Sequence, residues 1–203
     1  MLDREQQYVE KWAKQLDIET QLKYHARATN TCQEKALLLS QTPPQEEWRA
    51  ERVIKALYVE RRGHGVGVIT PEWGYDVPIA DILASQLHIS MREAREYGRK
   101  KQPPQGMEYG TCTPFLFESS VEYEVHELIV VDHPTIDKKL CDISIGGCGE
   151  EAHKISMHLP YGGIYEILRA QFGERVHKVS IQNVSLEKQT TTGHTGQMRI
   201  EFI

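Results

Sequence analysis

Residues 52–60, RVIKALYVE, place one ionisable side chain inside a segment that is apolar on both sides. Extended backbone sends alternate side chains to opposite faces. Val53, Lys55, Leu57 and Val59 then share one face, and Ile54, Ala56 and Tyr58 share the other. A strand apolar on both faces belongs in the interior of a sheet covered above and below. Lys55 must then reach solvent along its stem, pair with an anion or lose its charge, because an unpaired buried ammonium is costly. The strand alone leaves a snorkelling lysine and a ligand-binding lysine both open.

The remaining chain supplies the layers. Tyr8, Trp12 and Leu16 at four-residue spacing predict an amphipathic helix over 3–16, and a short strand is expected over 22–25. Thr31-Cys32-Gln33-Glu34 fits a capping box, predicting a helix that runs to about Ser40 and stops before Pro43-Pro44. Arg61-Arg62-Gly63-His64 reads as the turn of a hairpin joining residues 52–60 to a strand over 65–70. Helices are expected over 79–87 and, from the box Ser90-Met91-Arg92-Glu93, onward from Ser90. Residues 101–106 contain Pro103-Pro104 and read as a loop; strands are expected over 123–132, 141–145, 154–159 and 176–184, and a helix over 163–172. The polar segment 187–197 reads as a loop, and 198–203 as a terminal strand. Strands and helices interleave without strict βαβ order. The expected fold is therefore mixed α/β, with a mixed, partly curled central sheet flanked by helices.

With 203 residues, 39% hydrophobic and 26% charged, one domain is expected, its core at about 20–175 and an extension at 185–203. No apolar leader opens the chain and no stretch reaches the ~18 apolar residues of a membrane helix, so a cytoplasmic protein without membrane association is expected. Cys32, Cys112, Cys141 and Cys148 form no C-x-x-C pair and are expected to be free thiols. Cys148 with His153 is the one pair that resembles a metal-ligand spacing, and two ligands fall short of a structural zinc site. A net charge of −5 argues against a protein that coats nucleic acid, though it allows one that grips a short terminus.

Three segments can carry chemistry. Gly146-Gly147-Cys148-Gly149 can turn successive amides toward an anion, or simply make a tight turn. Gly110-Thr111-Cys112-Thr113-Pro114-Phe115 offers close backbone approach, two hydroxyls and a thiol for a pocket, or a rigid connecting loop; no base lies near Cys112 in sequence. Arg92, Arg95 and Arg99, at i, i+3 and i+7, would share a helix face that can dock a polyanion or stay solvated beside Glu93 and Glu96. No G-x-S-x-G, H-E-x-x-H or Walker A pattern occurs.

The order of these segments resembles the YbaK/prolyl-tRNA synthetase editing-domain family. A lysine-bearing strand (RVIKALYV) precedes a hairpin and helices, then a G-x-x-x-P loop (Gly110 to Pro114, with Phe115), a strand ending Val131-Asp132 and a glycine turn after Ser144-Ile145. HKISMHLP running into GGIYEILRA closes the unit, and His25 with TCQEKA resembles its opening strand and helix. The resemblance covers about two-thirds of the chain. It implies a deacylase that hydrolyses the ester of a mischarged aminoacyl-tRNA, without metal or cofactor, with the substrate's own ribose hydroxyl assisting. It further implies that Lys55 binds the terminal nucleotide or phosphate and that the Gly146-Gly147 backbone holds the carbonyl region. Gly110 and Pro114 would shape the amino-acid pocket, with Thr111, Cys112 and Phe115 in the same loop. His153 would stand near a pocket histidine, although GCGEEA before it departs from the family pattern. The partner implied is the aminoacylated 3′ end of tRNA; a homodimer and a non-catalytic tRNA-, nucleotide- or protein-binding module stay open.

Overall fold

The computed structural model describes residues 2–42, 47–73, 77–99, 107–115, 125–133, 135–182 and 199–201. The expected proline stop at Pro43-Pro44 and the expected loops at 101–106 and 187–197 lie outside these residues.

The lysine-bearing segment is an interior strand, β2 (Val53–Arg61), flanked in the chain by α1 (Leu2–Gln15), β1 (Gln21–Tyr24) and α2 (Cys32–Ser40) before it and by β3 (His64–Thr70) after it. Its two faces enter different cores, as the alternation requires. Ile54, Ala56 and Tyr58 pack with Phe115, Met157 and Ile143, while Leu57 and Val59 pack with Ile82, Leu83 and Val131. Burying each large aliphatic side chain in such a core contributes on the order of 1.5–3 kcal/mol. Arg61 pairs with His64, so the hairpin loop is Arg62-Gly63, both at positive φ (52° and 84°). That is the type I′ geometry whose twist matches the flanking strands.

The chain continues through α3 (Ile79–Gln86), α4 (Met91–Ala94), β4 (Gly98–Arg99), β5 (Glu127–Asp132), β6 (Leu140–Ser144), β7 (Ile155–Pro160), α5 (Tyr161–Phe172), β8 (Val176–Gln182) and β9 (Arg199–Glu201). The strands order as β1-β7-β6-β2-β3-β5-β8-β9, with β4 added to β2. β2 is parallel to β6, and β5 is parallel to both β3 and β8, whereas the remaining pairs are antiparallel. The fold is mixed α/β, as expected.

Two local expectations change. The Thr31 hydroxyl does accept from the Glu34 amide, but the Glu34 carboxylate reaches the Asn30 amide and not that of Thr31. The Ser90 capping box is complete, yet its helix lasts a single turn. Arg92 lies in that turn, Arg95 caps its end and Arg99 has already entered β4, paired with Val59. The three arginines therefore share no helical face. The physical reason is that β2 has a free edge there, and backbone pairing with Val59 and Glu60 draws the chain out of the helix.

Candidate functional site

β2 and β6 pair over only two residues, Val53 with Asp142 and Ile54 with Ile143. β6 then ends at Ser144 while β2 runs on beside β3, and the strands part. A cavity of about 530 Å³ opens along this gap, within the usual size of small-molecule sites. One wall is β2 from Val53 to Tyr58, and a second is the start of α2, from Thr31 to Lys35. Gly110 and Cys112 stand opposite with His153, while Asp142 and Ser156 line the same space from β6 and β7.

Lys55 is half-buried, and its ammonium is bonded to the Glu72 carboxylate, which follows β3 and also lines the cavity. So the lysine neither merely snorkels nor stands alone. It pairs, at the cavity wall, with an acid that no periodicity in the sequence marks. Cys32 sits beside this pair; burial pushes its thiol up to about 11, which keeps it protonated near neutrality.

The 107–115 loop is clamped to the glycine turn. The Thr111 hydroxyl donates to the Gly147 carbonyl (2.7 Å), and the Ser144 hydroxyl donates to the Thr111 carbonyl (2.7 Å). Met107 makes a parallel bridge with Gly147, and the Tyr58 hydroxyl, fully buried in the sheet, donates to the Thr113 carbonyl (2.6 Å). Gly110 adopts φ +96°, and a Cβ there would lie 2.9 Å from His153 Cε1 and 3.3 Å from its Nδ1, so only glycine fits without displacing the ring. Glu108 accepts from His153 Nε2 (2.9 Å) and from the Gly149 amide (2.9 Å). This contact leaves Nδ1 as the ring nitrogen on the Gly110 side.

The expected site residues thus divide. Lys55, Gly110, Cys112 and His153 line one cavity. Thr111, Pro114 and Phe115 are buried behind the wall, Phe115 entirely in the main core. Gly146 and Gly147 are buried too and are not among the lining residues. Their positive φ (90° and 107°) suits a turn, but the Gly146 amide donates to Ser144 Oγ (3.2 Å) and the Gly147 carbonyl is taken by Thr111. The turn holds the loop; no donor from it is aimed into the cavity by these bonds. The Cys112 thiol points at the Glu108 carbonyl (3.5 Å). Cys148 is exposed, and no cluster of three or more metal-ligating side chains occurs among the described residues.

A polar floor was not anticipated from the sequence. Asp142 Oδ1 accepts from the Ser156 hydroxyl and from His158 Nε2 (3.0 Å), and Lys35 Nζ lies 3.7 Å from Oδ2. His25 Nε2 is 2.6 Å from Ser156 Oγ. All five side chains are buried. Burial alone would raise the Asp142 pKa, but the hydrogen bond from His158, the His25 ring 3.6 Å away and the charge of Lys35 outweigh it and hold the carboxyl well below its usual range. Burial pulls Lys35 down, against the opposing pull of Asp142. Serine, histidine and aspartate meet here without forming a nucleophilic triad. The hydroxyl proton already goes to Asp142, so His25 Nε2 must donate to Ser156 and cannot take its proton.

Among the described residues no helix is long and apolar enough to cross a membrane. No protein-family model matches the sequence, and no curated protein matches it. Several solved structures share the fold. The crystal structure of hypothetical protein APE2540 superposes with a TM-score of 0.51 at 18% identity, over 84% of this chain and 97% of that one. A protein from work on grafting linear epitopes onto scaffold proteins by computational design superposes with a TM-score of 0.54 at 8% identity, over 87% of this chain and 95% of that one. At these identities the likeness is one of fold: the chain is a mixed α/β protein of an architecture already seen in crystals.

Proposed function

We propose that the chain is an aminoacyl-tRNA deacylase that hydrolyses the ester of a mischarged, small aminoacyl-tRNA in this cavity. The observation carrying the reading is that Lys55, Gly110 and His153, scattered over about a hundred residues, line one cavity. These are three positions that the YbaK-type resemblance places at the substrate. The architecture agrees with that family's mixed α/β fold, and the rest of the assignment rests on the resemblance.

The chemistry asked of the site is modest. An aminoacyl ester is already activated, so catalysis consists mainly of positioning water and stabilising developing charge. The Lys55 ammonium offers a point charge to the phosphate of the terminal nucleotide. Gly110 leaves room for the acyl group, and His153, steadied by Glu108, presents Nδ1 to it. Water adds to the acyl carbon with help from the neighbouring ribose hydroxyl, the carbon–oxygen ester bond breaks, and the departing ribose oxygen takes up a proton. Lys55 binds and polarises; it does not attack.

One observation favours a second reading, a binding module without turnover: the Gly146 amide, expected to face the carbonyl, is engaged by Ser144. A panel of charged tRNAs separates the two. Accelerated release of one amino acid supports the deacylase, whereas tRNA binding without acceleration anywhere on the panel supports the module.

A further inference from the structure

Among the described residues two carboxylates, Glu72 and Asp142, line the cavity, and they are not equivalent as ligands. Asp142 is spent on Ser156, His158 and Lys35 in the buried floor. Glu72 stands at the wall with its side chain 14% exposed, and its cation, Lys55, keeps 40% of its side chain exposed on a flexible four-carbon stem. The half-exposed lysine end can therefore trade partners with a charged ligand, while the carboxylate stays in place. An aminoacyl ester carries two complementary charges, an α-ammonium beside the scissile carbonyl and a phosphodiester on the nucleotide side.

We propose that Glu72 is the specificity residue that recognises the free α-ammonium of the substrate, taking it in exchange for Lys55 while Lys55 passes to the phosphate. The proposal rests on the deacylase reading of the cavity. One ion pair becomes two, so the exchange is favourable only for a ligand that brings both charges. A ligand without the ammonium draws Lys55 away from Glu72 and returns no charge to the carboxylate, which is a penalty against the wrong substrate and not merely a lost contact. Gly110 and His153 line the same cavity, and of its carboxylates among the described residues Glu72 has the displaceable partner.

The test uses the full chain and the charged tRNA that wild type hydrolyses, either with its amino group free or with the same group N-acetylated. Wild type is expected to show kcat/KM about tenfold or more higher on the free form, the usual size of a charge-assisted hydrogen bond. Glu72→Gln should bring that ratio close to one, mainly through KM, and Glu72→Asp, which retains the carboxylate, should restore part of it. Equal rates on both forms with wild type, or an unchanged ratio in Glu72→Gln, would overturn the proposal while leaving the deacylase standing. If Glu72→Gln does not fold, the Glu72→Asp ratio decides: a ratio clearly below wild type's supports ammonium recognition by the carboxylate, and a ratio equal to wild type's contradicts it. Failure of wild type to hydrolyse any charged tRNA removes the deacylase reading itself, and this inference with it.

Discussion

The cavity holds two lysine–carboxylate pairs that look alike in sequence and differ in every physical respect. Lys35 and Asp142 are buried, 3.7 Å apart, and enclosed by His25, Ser156 and His158. Lys55 and Glu72 are in direct contact at the wall, and the lysine is half-exposed. The first pair is fixed from all sides and holds β1, α2, β6 and β7 in register around the floor. The second can open toward a ligand at little cost. A buried charge cluster thus belongs to the architecture, while a partly exposed pair is available for work.

The comparison breaks most visibly at Asp142. Asp142→Ala leaves Lys35, His158 and the Ser156 hydroxyl buried without their acceptor, and urea unfolding should show a loss of about 3–5 kcal/mol. Lys55→Ala, which takes a half-exposed lysine from one carboxylate, should cost less in the same assay, about 1–2 kcal/mol. The pH response has a definite sign. Because the Asp142 pKa is depressed in the folded state, its contribution is present above the ordinary carboxylate value of 3.8 and is lost as pH falls below it. Urea midpoints of wild type should decline over that acid range more steeply than those of Asp142→Asn. A matching decline would show that the floor is not held by the ionised carboxylate.

Gly110→Ala sharpens the contrast from the opposite wall. It introduces a side chain at φ +96° and within 2.9 Å of His153, so a loss of about 1–3 kcal/mol and a displaced His153 ring resonance in NMR spectra are expected. The smallest effect is expected at the exposed arginines. Arg92→Gln with Arg95→Gln should shift stability by less than about 0.5 kcal/mol. If that surface docks tRNA, the slope of log affinity against log salt should fall by no more than about 2. An unchanged slope removes it from the interface.

The alternation of residues 52–60 was enough to place Lys55 between two cores, and the Arg62-Gly63 dipeptide was enough to place the hairpin. Both are local signals, set by the period of a strand and by the φ its turn demands. α4 forms where the capping box puts it but stops after one turn, because such a box marks where a helix starts and says nothing of a competing sheet edge. The polar floor was faintly written. Asp142 between Cys141 and Ile143, and Ser156 and His158 between Ile155, Met157 and Leu159, put polar groups on one face of otherwise apolar strands. What joins them to His25 and Lys35 is tertiary pairing across more than a hundred residues, which no local pattern carries. Glu72 lies past the end of a strand, where periodicity has already stopped. The Gly146-Gly147 turn was recognised as a turn, but the partners of its amides depend on Ser144 and Thr111 packing against it.

The central claim is that Lys55 serves a ligand in this cavity and not the fold. Its most direct test measures deacylation of the charged-tRNA panel and urea stability side by side for wild type and Lys55→Ala. Wild type is expected to accelerate hydrolysis of at least one aminoacyl-tRNA, and Lys55→Ala to lose most of that acceleration while staying far closer to wild type in urea stability than Asp142→Ala. Full activity in Lys55→Ala, or no acceleration by wild type anywhere on the panel, would contradict it.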